Sequence, residues 1–265
     1  MEQIVIGNPK VQIMEQPTKD SAVVDEIFYG MELQIKKELY NGWLWIRTYY
    51  GYEGYVRKEE VEFVEHNHER REFVIAAFAD VFSEPNIHAK RYLALMRGAI
   101  VTVLIRESNG YTEIRLLDGR TAYIKTSQLQ PMEQKYLSEL QLRLAIIENA
   151  KRYLGVQYRY GGKSPVGIDC SGLCFMAYLL SGVVIYRDSK IMQGYPVKEI
   201  AKKDLQPADL IYFEGHVALY IGEGKFIHAT NQIGSDRVVV QSLHSEDENY
   251  RKDLAGRILH IGSIF

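Results

Sequence analysis

The sequence predicts a multidomain protein: two small β-barrels followed by an α+β domain with an antiparallel sheet. Three observations carry this. First, shifting the sequence by 68 positions lays "YGMELQIKKELYNGWLWIRTYYGYEGYVRKEEVE" over "RGAIVTVLIRESNGYTEIRLLDGRTAYIKTSQLQ" without a gap. Second, each copy breaks into short β-branched or aromatic runs divided by glycine turns. Third, the texture changes after Pro131, where helical spacing takes over and is followed by a run of adjacent strands.

In the repeat, Pro17 meets Pro85, Gly30 meets Gly98, Asn41-Gly42 meets Asn109-Gly110, and Gly51 meets Gly119. Two copies make a duplicated domain rather than a solenoid. Leu33–Glu38, Trp43–Tyr49 and Gly54–Val56 read as strands between Asn-Gly and Tyr-Gly turns. Strands this short imply a small barrel. The ending "NGWLWIRT…GYEGYV" resembles the bacterial SH3-like domain. The second copy departs from it, with Tyr111 and Glu113 in place of Trp43 and Trp45. The expected domains are residues 1–65, 72–131 and 138–265. The linker "EHNHERR" holds His66 and His68, which read as solvated residues and not as metal ligands.

In the third domain, Leu142, Ile146, Ile147, Ala150 and Leu154 recur at helical spacing over Ser138–Leu154, and Gly155 ends the run. A second helix starts at Asp169 or Cys170. Strands are expected at Leu210–Phe213, His216–Ile221, Lys225–Thr230, Val238–Ser242 and Arg257–Ile261.

The bulk numbers exclude several classes. The 265 residues, 46% apolar and 25% charged, are ordinary globular values. A net charge of −2 gives no reason to expect nucleic acid or an anionic membrane as partner. Nineteen tyrosines suit half-buried strands and pockets. The two cysteines, Cys170 and Cys174, are four apart on one helix, a poor disulfide geometry, and lie in no zinc-type spacing. No metal or organic cofactor is implied. The N-terminal segment lacks the basic and apolar regions of a secretory signal, and no stretch approaches the ~20 apolar residues of a membrane span. These features lead to the expectation of a cytoplasmic protein.

Cys170 stands at the threshold of an apolar helix, where free backbone N–H groups and the positive dipole end converge. A thiolate there is expected to have a pKa below the ordinary ~8.5, and the N–H groups suit a developing oxyanion. Cys174, one turn on, reads as core filler. A thiol nucleophile needs a base and the base an orienter. His216 and His228 lie in one apparent hairpin. A three-residue loop at Gly222-Glu223-Gly224 pairs Ile221 with Lys225 and sets His228 opposite Ala218, so both rings emerge on one face as diagonal neighbours, roughly 7–8 Å apart. A two-residue turn would put them on opposite faces. His88, His244 and His260 read as structural.

"DCSGL", "PADLIYFEGHVALYIG" and "KFIHAT" closely resemble the NlpC-type peptidoglycan peptidases, a papain-like cysteine peptidase group, over Ser138 to Phe265. The resemblance implies Cys170 as nucleophile, His216 as base and His228 as the group that fixes the His216 tautomer. "GVQYRYGG" implies Tyr158 near the oxyanion site, and "RDS" implies Ser189 in the substrate pocket. Ala208 replaces the usual glycine of a Pro-Gly-Asp turn, and Asp209 reads as a turn residue. The subgroup with duplicated SH3-like domains implies cleavage between γ-D-glutamate and a diamino acid in free cell-wall peptides that begin with L-alanine. Asp169 suits the substrate ammonium or an N-cap, and Ser171 adds a hydrogen bond. Tyr50, at a hairpin tip where the second copy carries Asp118, is the expected barrel residue for closing the cleft, with ordinary domain packing as the alternative. The expected partner is therefore a small cell-wall peptide, with no nucleic acid, membrane or protein partner implied. The alternatives are a non-catalytic or weakly catalytic wall-binding protein, or another amidase or acyltransferase on the same scaffold.

Overall fold

The computed structural model describes residues 3–64, 70–135 and 138–265. His66 and His68 lie outside them. The chain forms two compact units, 1–133 and 134–265.

The first unit holds two seven-stranded antiparallel sheets. One comprises β1 (Gln3–Ile6), β2 (Lys10–Met14), β3 (Val23–Phe28), β4 (Glu32–Glu38), β5 (Trp43–Thr48), β6 (Glu53–Arg57) and β7 (Val61–Val64). The other comprises β8 (Arg71–Val74), β9 (Phe78–Phe82), β10 (Arg91–Met96), β11 (Ile100–Ser108), β12 (Tyr111–Arg115), β13 (Thr121–Lys125) and β14 (Leu129–Pro131). The strand orders are β3-β2-β6-β5-β4-β1-β7 and β10-β9-β13-β12-β11-β8-β14, the same path taken twice. Every strand of the second sheet starts 68 residues after its counterpart, as with 10 and 78, 23 and 91, or 53 and 121.

The two sheets touch at a repeated turn. Gly30 has φ +73°, and a Cβ there would lie 2.0 Å from the Ile100 carbonyl oxygen, so only glycine admits the close approach. The Ile100 N–H donates to the Tyr29 carbonyl at 2.8 Å, and the Tyr29 hydroxyl accepts from the Leu117 N–H at 2.9 Å.

Tyr50 follows the packing alternative and not the cleft-closing one. It is buried, 3% exposed, instead of presented at an open turn. Its hydroxyl donates to the Asp25 carboxylate on β3 of the same sheet, so the polar tip of the ring is taken up there.

The second unit runs α1 (Glu139–Lys151), β15 (Lys163–Ser164), β16 (Gly167–Ile168), α2 (Cys170–Leu179), β17 (Lys198–Ile200), β18 (Leu210–Phe213), β19 (His216–Gly222), β20 (Lys225–Thr230), β21 (Arg237–Ser242), α3 (Lys252–Ala255) and β22 (His260–Ser263). The sheet is antiparallel throughout, in the order β17-β22-β18-β19-β20-β21. Ser138 caps α1 by accepting from the Gln141 N–H. All ten residues of α2 are buried, because the helix packs between α1 and strands β19 and β20. The sheet core is Ile211, Phe213, Ala218, Phe226 and Ile261. The last strand starts later than its apolar pattern suggests, at His260 and not Arg257, because pairing with Tyr212 of β18 sets its beginning.

Asp209 is wholly buried. Its carboxylate accepts from Arg143 at 2.9 Å and from the Ser263 hydroxyl at 2.6 Å, tying α1, β18 and β22 together. Ala208 beside it has φ +73°, the left-handed conformation that a glycine would adopt without strain. Among the described residues, no helix is long and apolar enough to cross a membrane.

Candidate active site

Asp169 is the N-cap of α2, and its side chain accepts from the Gly172 N–H at 2.6 Å. The same carboxylate accepts from the Gly161 N–H at 2.8 Å, from the Ser171 hydroxyl at 3.2 Å, and from Arg187 at 3.0 and 3.2 Å. Arg187 also donates to the Ser171 hydroxyl at 2.8 Å and the Gly162 carbonyl at 3.2 Å. Gly172 makes room for this knot: a Cβ there would lie 2.3 Å from the Gly162 carbonyl oxygen. The start of α2 is thus locked by a buried ion pair.

Cys170 follows the cap and is buried. Its thiol is pushed up to about 11, first by burial and then by the Asp169 charge. Backbone hydrogen bonds from Val217 and Ser171 and the Arg187 charge pull the other way and are outweighed. This corrects the expectation of a depressed thiol pKa. The helix tip favours the thiolate, but desolvation against the sheet costs it more. Cys174 is buried as core, its thiol raised further by the same cause.

Strand β19 packs against α2, with Val217 near enough to act on the Cys170 thiol, and the residue before Val217 is His216. The hairpin reaches this geometry by a different route from the expected loop. Gly222 pairs with Lys225, leaving a two-residue turn of Glu223 and Gly224, both left-handed at φ +52° and +70°. A bulge between Tyr220 and Gly222 then absorbs one residue, and beyond it Leu219 pairs with Ile227. Continued one step, that register sets Ala218 opposite His228. The bulge restores the phase that the short turn alone would have inverted.

Both rings therefore lie on one face. His216 Nε2 and His228 Nδ1 are 2.8 Å apart, and the rings meet edge to face with centroids at 5.0 Å. His228 Nε2 lies 2.7 Å from Gln241 Oε1. Burial pushes His216 down to about 4, with Arg251 adding to it, and His228 down to about 3, with His216 adding to it. Both imidazoles are neutral near pH 7. His216 Nδ1 makes no hydrogen bond among the described residues.

Tyr158 is half-buried and close enough to Cys170 and Asp169 for their charges, after burial, to push its phenol upward. Ser171 spends its hydroxyl on Asp169 and Arg187. Ser189 is half-buried and makes no hydrogen bond among the described residues. Among the described residues, no cluster of His, Cys, Asp or Glu has the arrangement of a metal site.

The pattern of the NlpC/P60 family matches residues 155–254, and that of the bacterial SH3 domain matches residues 11–62. The chain is 40% identical over its whole length to the whole of dipeptidyl-peptidase 6 from Lysinibacillus sphaericus. The chain belongs to the NlpC/P60 family. It is a cysteine peptidase of the peptidoglycan-peptidase kind. It is also 29% identical to the γ-D-glutamyl-L-lysine dipeptidyl-peptidase of Bacillus subtilis, over 68% of this chain and 60% of that one. A crystal structure of an NlpC/P60 family protein from Bacillus cereus shares the fold over 98% of both chains, with a TM-score of 0.78 at 19% identity.

Within this NlpC/P60 site, sequence reading missed three residues. Arg187 sits in the noticed "RDS" segment, but nothing local says that its guanidinium turns back to the helix cap. Gln241 pairs with Phe226 and is thus the diagonal neighbour of His228 on β21. The register between β20 and β21 would have revealed it, but the intervening loop gives no length rule. Arg251, which donates to Gln241 at 2.7 Å, carries no pattern at all.

Proposed function

We propose that this peptidase hydrolyses the amide between γ-D-glutamate and a diamino acid in free cell-wall peptides with an N-terminal L-alanine, releasing L-Ala-D-Glu in a cytoplasmic recycling step. The observation that carries the reading is a cysteine at a helix start packed against the strand of His216, whose ring is joined to His228 at 2.8 Å, in a chain matched end to end by a dipeptidyl-peptidase. The name of the second relative supplies the γ-D-glutamyl bond.

His216 Nδ1 takes the thiol proton as the Cys170 sulfur attacks the γ-glutamyl carbonyl. Backbone N–H groups at the start of α2, with Tyr158, stabilise the oxyanion. His216 then gives the proton to the departing amine, and water, deprotonated by the same ring, clears the thioester. The Asp169 carboxylate and the Ser171 hydroxyl are taken up by the knot at the start of α2, which leaves the Ser189 hydroxyl as the expected pocket group with its hydrogen bonds unspent among the described residues.

The test is incubation with L-Ala-γ-D-Glu-diamino acid peptides, the same peptides N-acetylated, and intact sacculi, read by mass spectrometry. Free-amine peptides are cut to L-Ala-D-Glu, acetylated peptides and sacculi survive, and Cys170→Ala abolishes cleavage. Equal cutting of acetylated peptides or sacculi overturns the substrate assignment. Fractionation of cells carrying the tagged chain tests the location.

A further inference from the structure

A neutral histidine pair has more than one way to place its protons, and only one of them makes a base. The hydrogen bonds behind His228 remove the choice. Gln241 Oε1 lies 2.7 Å from His228 Nε2 and 2.7 Å from an Arg251 nitrogen. Arginine only donates, so the amide atom that meets it is the oxygen, and the amide orientation is fixed. Arg251 is itself held by Asp253, through two hydrogen bonds of 2.7 Å each.

An oxygen acceptor requires His228 Nε2 to carry a proton. Neutral His228 then has a bare Nδ1, which accepts at 2.8 Å, so His216 Nε2 must donate. Neutral His216 is left with its lone pair on Nδ1. The opposite arrangement would set two acceptors face to face at one of these junctions.

We propose that Gln241 is a positioning residue that sets the tautomer of both histidines and thereby places the basic lone pair of His216 on Nδ1. The proton from the Cys170 thiol is received at that atom and leaves from it, while the Nε2 proton stays in place through the cycle. The donor chain also holds when His216 is protonated, because Nε2–H still donates to His228. This inference rests on His216 being the base, but its first test does not need activity.

The experiment is long-range 1H–15N spectroscopy of the histidine side chains near neutral pH in the Cys170→Ala protein. The expected spectrum has Nε2 protonated and Nδ1 bare on both His216 and His228. Adding Gln241→Met, which removes the acceptor at similar volume, mixes the tautomers; Gln241→Glu, which keeps an acceptor, preserves them. With Cys170 intact, Gln241→Met lowers kcat by about 10- to 100-fold, the range found for the outer partners of metal-bound histidines, with KM little changed. Gln241→Glu restores most of the loss. A proton on His216 Nδ1 in the Cys170→Ala protein overturns the proposal, and this reading stands even if Gln241→Met fails to fold. Unchanged tautomers with kcat within twofold in a folded Gln241→Met protein also overturn it. Activity surviving Cys170→Ala would instead defeat the nucleophile assignment.

Discussion

Two buried polar networks flank Cys170, and they are built on opposite plans. On the helix side, Asp169 and Arg187 are both charged and almost fully enclosed, and the carboxylate meets five donated hydrogen bonds. On the sheet side, His216, His228 and Gln241 are neutral and joined in single file. The difference is one of task. A saturated ion pair has one arrangement and fixes where the sulfur is. A neutral chain leaves one nitrogen with an unshared electron pair, which a fully satisfied network cannot do. Position comes from the first and reactivity from the second.

Breaking the two sides should therefore fail in different measurements. The largest effect is expected from His216→Ala: kcat falls by about 10²- to 10⁴-fold, the worth of a general base, while the melting temperature stays near that of the parent. Arg187→Met does the reverse. It strands the buried Asp169 charge and costs about 3–5 kcal/mol of stability by chemical denaturation; adding Asp169→Asn recovers much of it. If Arg187→Met melts like the parent, the locking function is wrong.

The pH response sharpens the contrast. His216 and His228 fall from the ordinary 6.5 to about 4 and about 3. As pH drops below 6.5 the unfolded chain takes protons that the folded sheet refuses, so stability is present above that value and is lost on acidification. The slope is up to about 1.4 kcal/mol per pH unit for each histidine. Denaturant melts in steps from pH 7 to 4 measure it, and His228→Phe flattens it. The thiol responds at the other end: alkylation of Cys170 by iodoacetamide accelerates with pH towards about 11. An inflection below the ordinary ~8.5 would mean that the helix tip prevails over burial. The smallest effect lies outside both networks. Ala208→Gly relieves a left-handed alanine and gains about 0.5–1 kcal/mol, read as a higher denaturation midpoint with kcat unchanged.

Much of this was legible in the residues. The 68-residue shift between the copies reappears as two identical strand orders, because repeated turns and apolar alternation act locally. The helix beginning at Cys170 follows from a cap aspartate before an apolar run. Counting strand residues from a three-residue loop gives His216 and His228 a shared face, and the chain arrives at that face through a shorter turn and a bulge at Ile221. Less legible was everything set by pairing between distant segments. Tyr50 read as an exposed turn residue because its neighbours are turn-formers, yet Asp25, on another strand, takes its hydroxyl.

The sequence alone determined which elements form and which chemistry-bearing side chains they carry, since periodicity, caps and turns depend on residues a few positions apart. Only the tertiary structure decided how acidic the thiol is, which partner satisfies Asp169, and which nitrogen of His216 holds the lone pair. Those depend on desolvation and on hydrogen bonds from Arg187, Gln241 and Arg251, whose positions are set by packing and sheet register.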